Sequence, residues 1–186
     1  DVRLPDQLVA KILSSPHPHA RILSIDTSKA EQLPGVRAMV TAKDMPTTSL
    51  DFYQSGESDQ MEGLGRADLY AMVSDKVHFI GEEVAAVAAD NERIAAEALE
   101  LIDVEYEVLK PVLDPEASLK PGAPSVYDEV PNNVPYHMKR TFGDVERGFK
   151  EADYIFEDEY RTQLQYHGIL EWQGCTCQWD MDGNLT

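Results

Sequence analysis

The stretch "TQLQYHGILEWQGCTCQWD", residues 162–180, holds an amide, an imidazole, a carboxylate and two thiols: Gln165, His167, Glu171, Cys175 and Cys177. Imidazole, carboxylate and thiolate are zinc ligands, so a metal centre is the first chemistry to weigh. The spacing argues against it. Structural zinc uses cysteine pairs two to four residues apart, with a second ligand pair elsewhere. Here one residue separates Cys175 from Cys177, and the chain has no other cysteine. No metal ligand set is therefore assigned. Trp172 and Trp179 are expected in a core or an interface.

Other reactive groups give no stronger pattern. No serine stands in a Gly-x-Ser-x-Gly elbow, and no Gly-rich phosphate loop is present. His17 and His19 flank Pro18, so they cannot form a helical pair and are expected in a loop against backbone or water. The carboxylates at Glu82–Glu83 and Glu157–Asp158–Glu159 are expected on solvated faces.

The elements that position these groups follow from periodicity. Residues 8–13 and 20–26 read as strands, the second with Ile22 and Ser24 on one face and Leu23 and Ile25 on the other. A short helix from Thr27 or Ser28 to Gln32 ends at "LPG", and 36–41 is the next strand. Residues 44–68 lack apolar period and read as a long surface loop, with 47–66 a candidate approach to a substrate channel or partner. "EVAAVAA" suits a packed strand. Asp90 or Asn91 caps a helix over 91–102, whose stripe is Ile94, Ala95, Ala98, Leu99 and Ile102. Residues 104–109 alternate as a strand.

Prolines 121, 124, 131 and 135 mark a linker and a domain boundary, placing one domain at 1–120, the linker at 121–142 and a second region at 143–186. Asp144 caps a helix over 143–153. Residues 154–165 then read as a long strand, with Tyr154, Phe156, Tyr160 and Leu164 on one side and Gln165 on the polar side. "CTCQWD" reads as a further strand and "DGN" at 182–184 as a hairpin turn, its return strand cut off at Thr186.

Composition sets limits on partners. The 186 residues carry a formal charge of −18, and 42% are hydrophobic. That balance permits a core and disfavours nucleic acid and anionic membrane surfaces. No apolar run approaches the roughly 20 residues that span a bilayer. Asp1 stands where an initiator Met would be, and no leader is visible. The thiols are expected reduced, in a cytoplasmic protein.

Four separated phrases share one resemblance. "KILSSPHPHARILSIDTSKAEQLPGVRAMVTAKDMP", "VHFIGEEVAAVAAD" and "AAEALELIDVEYEVLKPVLDPEASL" resemble the α/β hammerhead domain of molybdenum hydroxylases, the xanthine dehydrogenase, aldehyde oxidase and 4-hydroxybenzoyl-CoA reductase family. "GDVERGFKEADYIFEDEYRTQLQYHGILEWQG" resembles the start of the molybdopterin-binding region that follows it. The resemblance spans nearly the whole chain outside the 47–66 loop. It implies an α+β fold, a hammerhead domain followed by the first elements of the cofactor domain.

The family's large subunit hydroxylates a substrate, or runs the reverse, at a molybdenum centre, and electrons leave through [2Fe–2S] clusters, often to FAD. Its Gln-x-His-x-x-(Met/Leu)-Glu pattern falls here on Gln165, His167, Leu170 and Glu171. The resemblance implies that Gln165 donates its amide N–H to an oxo ligand of molybdenum, with His167 and Glu171 supporting it. A neutral amide can polarise an oxo group without adding charge.

Departures narrow the reading. The family's Gly-Gly-x-Phe-Gly-Gly-Lys segment and its catalytic Glu are absent, as is any cluster-binding cysteine set. Gly168 replaces a larger residue, and no Gly-Gly precedes Gln165. The expectation is a fragment, inactive alone, of an oxidoreductase acting on an aromatic heterocycle, aldehyde or aryl-CoA with a molybdopterin-type cofactor. Its partners would be the rest of the large subunit together with iron–sulfur and FAD subunits. No catalytic residue is assigned within it. A stand-alone interaction module and a small metalloprotein using the 167–177 cluster remain open.

Overall fold

The computed structural model describes residues 2–46, 61–63, 70–138, 142–171 and 173–186. It forms two compact units. One is Asp6–Arg140, and the other joins Asp1–Pro5 with Thr141–Thr186. The elements in chain order are β1 (Val9–Ser14), β2 (Ala20–Asp26), α1 (Ser28–Glu31), β3 (Val36–Thr41), β4 (Met61–Gly63) and β5 (Lys76–Val77). They continue with β6 (Glu83–Ala89), α2 (Glu92–Glu100), β7 (Asp103–Val108), α3 (Pro115–Ser118), β8 (Tyr136–Met138) and α4 (Val145–Glu151).

In the larger unit, β6 is the centre of an antiparallel sheet ordered β1-β6-β3. "EVAAVAA" can take that place because its small and β-branched residues pack on both sides. Ala85, Val87 and Ala89 face α1 and α2, and with Ala30, Ala95, Ala98 and Ile102 they make the main core. Alanines on both surfaces let helix and sheet approach closely. Helix α2 begins where Asn91 Oδ1 accepts from Ile94 N at 3.0 Å. Asn91, not Asp90, is thus the cap. Asp90 instead accepts from Arg37, at 2.6 and 2.9 Å.

A second antiparallel sheet runs β5-β2-β7. Its core is Ala20, Val73, Val77 and Val84, and Ile25 and Val104 touch both cores. Strand β2 departs from simple alternation. Its register with β7 shifts between Ile22 and Ser24. The extra residue reverses the parity, so Ile22 and Ile25 both pack inward and Leu23 is left 56% exposed. The expected split of Ile22 from Ile25 is corrected accordingly.

Two further expectations change. The 44–68 loop contains a short strand, because β4 pairs antiparallel with β8 through Met61↔Met138 and Gly63↔Tyr136; most of the 47–66 loop lies outside the described residues. The proline-rich stretch does not run free over 126–133. Val130 is 3% exposed, and Asn133 Oδ1 accepts from Val126 N at 2.9 Å. Asn133 Nδ2 donates to Ser118 O and Pro124 O at 3.2 and 3.0 Å.

The smaller unit holds α4, with Asp144 Oδ1 accepting from Arg147 N at 2.9 Å. It also holds a terminal turn, in which Gln178 and Thr186 exchange backbone bonds of 2.8 and 2.9 Å around Gly183 at φ +84°. The strands expected at 154–165 and 175–180 are not formed, apart from the single bridge Trp179↔Leu185. A strand needs a neighbour for its N–H and C=O groups, and among the described residues none lies beside 154–165. Tyr154, Phe156, Tyr160 and Leu164 are accordingly 82–102% exposed.

Candidate functional site

Gln165, His167 and Glu171 lie on a segment without regular structure, and all three are exposed. The chain bends sharply between them. Gly168 N donates to Tyr166 O and Ile169 N to His167 O, each at 3.0 Å, so successive three-residue turns centre on His167 and Gly168. Gly168 has open space where a Cβ would stand. Among the described residues no hydrogen bond or ion pair joins the side chains of Gln165, His167 and Glu171. The Gln165 amide makes no side-chain hydrogen bond among those residues, so its two N–H donors and its carbonyl are available. A neutral donor of this kind fits an oxygen ligand of an anionic cofactor. Among the described residues no group of three or more His, Cys, Asp or Glu is placed to hold a metal ion. Cys175 and Cys177 are exposed and unbridged.

The larger unit contains a polar cluster that sequence reasoning missed. Lys76 is buried and its Nζ meets Asp128 Oδ1 at 2.6 Å. Beside it, His78 Nδ1 lies 2.9 Å from Glu82 Oε1, and His78 N donates to Glu82 Oε2 at 2.6 Å. The Tyr127 ring stacks on His78 at 4.1 Å and 6°. These groups line a cleft of about 160 Å³. The Lys76 ammonium holds the Asp128 carboxyl below its ordinary range, first by hydrogen bonding and then by charge, with Arg21 and His19 adding to it. Glu82, expected on a solvated face, is 8% exposed because it closes the turn from β5 to β6. No signal in local spacing marks the cluster, since Lys76 and Asp128 are 52 residues apart.

The histidines at the start of β2 divide. His17 meets the Tyr106 ring edge-on at 4.9 Å. His19 is 4% exposed, with Nδ1 3.0 Å from Lys110 O. Its Nε2 has no hydrogen-bond partner among the described residues.

Comparison with known proteins places these features in a family. Residues 1–110 match the family described as aldehyde oxidase and xanthine dehydrogenase, a/b hammerhead domain, and residues 126–186 match the molybdopterin cofactor-binding domain. The chain is 37% identical over its whole length to a probable xanthine dehydrogenase subunit of Bacillus subtilis, of which it spans 23%. It is 32% identical over its whole length to the nicotinate dehydrogenase large molybdopterin subunit of Eubacterium barkeri, spanning 41% of that protein. Among solved structures, the aldehyde oxidoreductase of Desulfovibrio desulfuricans superposes with a TM-score of 0.58 at 26% identity, covering 69% of this chain and 14% of that one. The chain therefore spans less than half the length of these relatives. The hammerhead fold and its α+β class match the expectation. Among the described residues no helix is long and apolar enough to cross a membrane. By the hammerhead match over more than half its residues, this chain belongs to the aldehyde oxidase and xanthine dehydrogenase family.

Proposed function

We propose that this chain is part of the molybdenum-cofactor-binding large subunit of an oxidoreductase. That enzyme hydroxylates, or reductively dehydroxylates, an aromatic heterocycle, aldehyde or aryl-CoA. The observation that carries the reading is the succession of two domain matches in one chain, hammerhead then cofactor-binding, with the Gln165 amide exposed in the second. The hammerhead domain is assigned to 1–120, the connection to 121–142 and the start of the cofactor domain to 143–186.

A molybdopterin-type molybdenum cofactor, when bound, would supply the two-electron redox chemistry. The part played by this chain is orientation. Gln165 would help to hold that cofactor by donating an amide N–H to one of its oxygens, a contact that adds no charge to the site. The turn at His167 and Gly168 sets the angle at which the amide is presented, and Glu171 supports the segment that follows. Its partners would be the rest of the large subunit and iron–sulfur and FAD subunits that would accept the electrons, in the cytoplasm. This piece alone is inactive.

The test is made on the full-length gene product. Near-stoichiometric molybdenum is expected in the parent protein. Gln165→Ala is expected to keep the fold and lower turnover about 10–100-fold. A folded full-length protein without molybdenum would overturn the reading.

A further inference from the structure

Cys175 and Cys177 present their sulfur atoms 3.9 Å apart, and both thiols are free and exposed. Side chains two apart on an extended chain leave on the same side. The stretch is anchored directly after Cys177, where Gln178 and Thr186 exchange 2.8 and 2.9 Å bonds. Asp180 Oδ1 tightens the turn by accepting from Asp182 N and Asn184 N at 2.9 and 2.8 Å.

We propose that Cys175 and Cys177 form a chelating dithiol site for a thiophilic centre of the trivalent-arsenic class, separate from the residues assigned to the cofactor. Distance supports it. Two bonds of about 2.3 Å, the length of a metal–thiolate bond, span at most about 4.6 Å. A separation of 3.9 Å therefore admits one atom bonded to both sulfurs without moving the backbone. Softness supports it as well, since thiolates select soft centres over oxygen-seeking ones. The Cys175 thiol pushes the Cys177 thiol up, first by hydrogen bonding and then by charge. A centre bound between them replaces both thiol protons.

Phenylarsine oxide is the probe. Its arsenic–oxygen bond breaks and two arsenic–sulfur bonds form. The two thiol protons leave with the oxygen as water, and no electrons change hands. The expected result is one adduct per chain by intact mass, retained in excess 2-mercaptoethanol and released by dithiothreitol. Cys175→Ser and Cys177→Ser are each expected to weaken retention about a hundredfold or more, because the second bond is intramolecular only in the pair. Both positions are exposed, so neither change should disturb folding. Far-ultraviolet circular dichroism and a count of two reactive thiols in the parent check this. Retention in either single variant equal to the parent's would overturn the proposal. So would an adduct that links two chains, or a parent adduct stripped by the monothiol.

Discussion

Lys76 Nζ stands 2.6 Å from Asp128 Oδ1, tying β5 to a segment 52 residues further along the chain. The Lys76 side chain is 6% exposed and that of Asp128 63%, so the pair joins a buried cation to a partly solvated anion. Tyr127 on His78 and the buried Val130 hold the same segment from either side. Residues 126–138 fall within the stretch matched by the cofactor-domain family, yet they belong to the compact unit Asp6–Arg140.

The two halves of this pair are not equivalent under mutation. Asp128→Ala leaves a buried ammonium without its counter-charge, and the expected loss is about 2 kcal/mol, reduced from the fully buried case because Asp128 meets solvent. Lys76→Met keeps the aliphatic stem in its slot and removes the charge that needs pairing. It is expected to lose about 1 kcal/mol or less. Urea unfolding midpoints of the two variants decide the order, and an equal loss would show that packing rather than charge governs the contact.

Arg37 and Asp90 make a two-pronged pair on the surface between β3 and α2, at 2.6 and 2.9 Å. Hydrogen bonding from Arg37 holds the Asp90 carboxyl below its ordinary value of 3.8, and the charge of Arg37 adds to it. A carboxyl depressed in the folded state stabilises the fold above its unfolded value, and that stabilisation is lost as pH falls through the folded value. The melting temperature of the parent should therefore fall more steeply than that of Asp90→Asn between about pH 5 and pH 2. Raised salt should narrow the difference, because the pair is exposed.

Asn133 is a single side chain with three backbone partners: it accepts from Val126 N and donates to Ser118 O and Pro124 O. Asn133→Asp has nearly the same shape but turns an N–H₂ group toward two carbonyl oxygens into an oxygen. The expected cost is about 2 kcal/mol, from two lost bonds and the repulsion that replaces them. Hydrogen exchange localises the effect. Faster exchange confined to the Val126 and Val130 amides is expected, and unchanged exchange there would show that the three bonds do not hold the segment.

Local pattern explains why the larger unit was legible and where it was not. Helix α2 follows from its stripe of Ile94, Ala95, Ala98 and Ile102, and β6 from its run of small and β-branched residues. These signals depend only on neighbours in sequence. The shift at Leu23 depends on how β2 meets β7, so no parity count along β2 could contain it. Lys76 and Asp128 meet only through the return of a distant segment. Glu82 is buried by the turn that it closes onto His78, which a count of neighbouring carboxylates does not contain. In the smaller unit, the alternation of 154–165 states which side would be buried but supplies no surface to bury it against. The grouping of Gln165, His167 and Glu171 rests on a family pattern alone, because no hydrogen bond or ion pair joins their side chains among the described residues.

Gly35, directly before β3, lies against Ile94 of α2. Its φ of +95° is a left-handed conformation, and a Cβ built there would stand 2.6 Å from Ile94 Cδ1 and 3.3 Å from Asp90 Oδ2. Gly35→Ala therefore meets two separate obstacles, backbone strain and a collision with the helix, and the expected loss is about 2–3 kcal/mol. The two can be separated. Ile94→Val deletes Cδ1 and leaves the backbone untouched, at a cost of about 1 kcal/mol in the parent. In the Gly35→Ala background it removes the collision as well, so there it should cost nothing or restore about 1 kcal/mol. Chemical denaturation of the four proteins in the cycle measures that coupling. A coupling near zero would assign the whole loss to the left-handed backbone, and a full rescue would assign it to the helix contact.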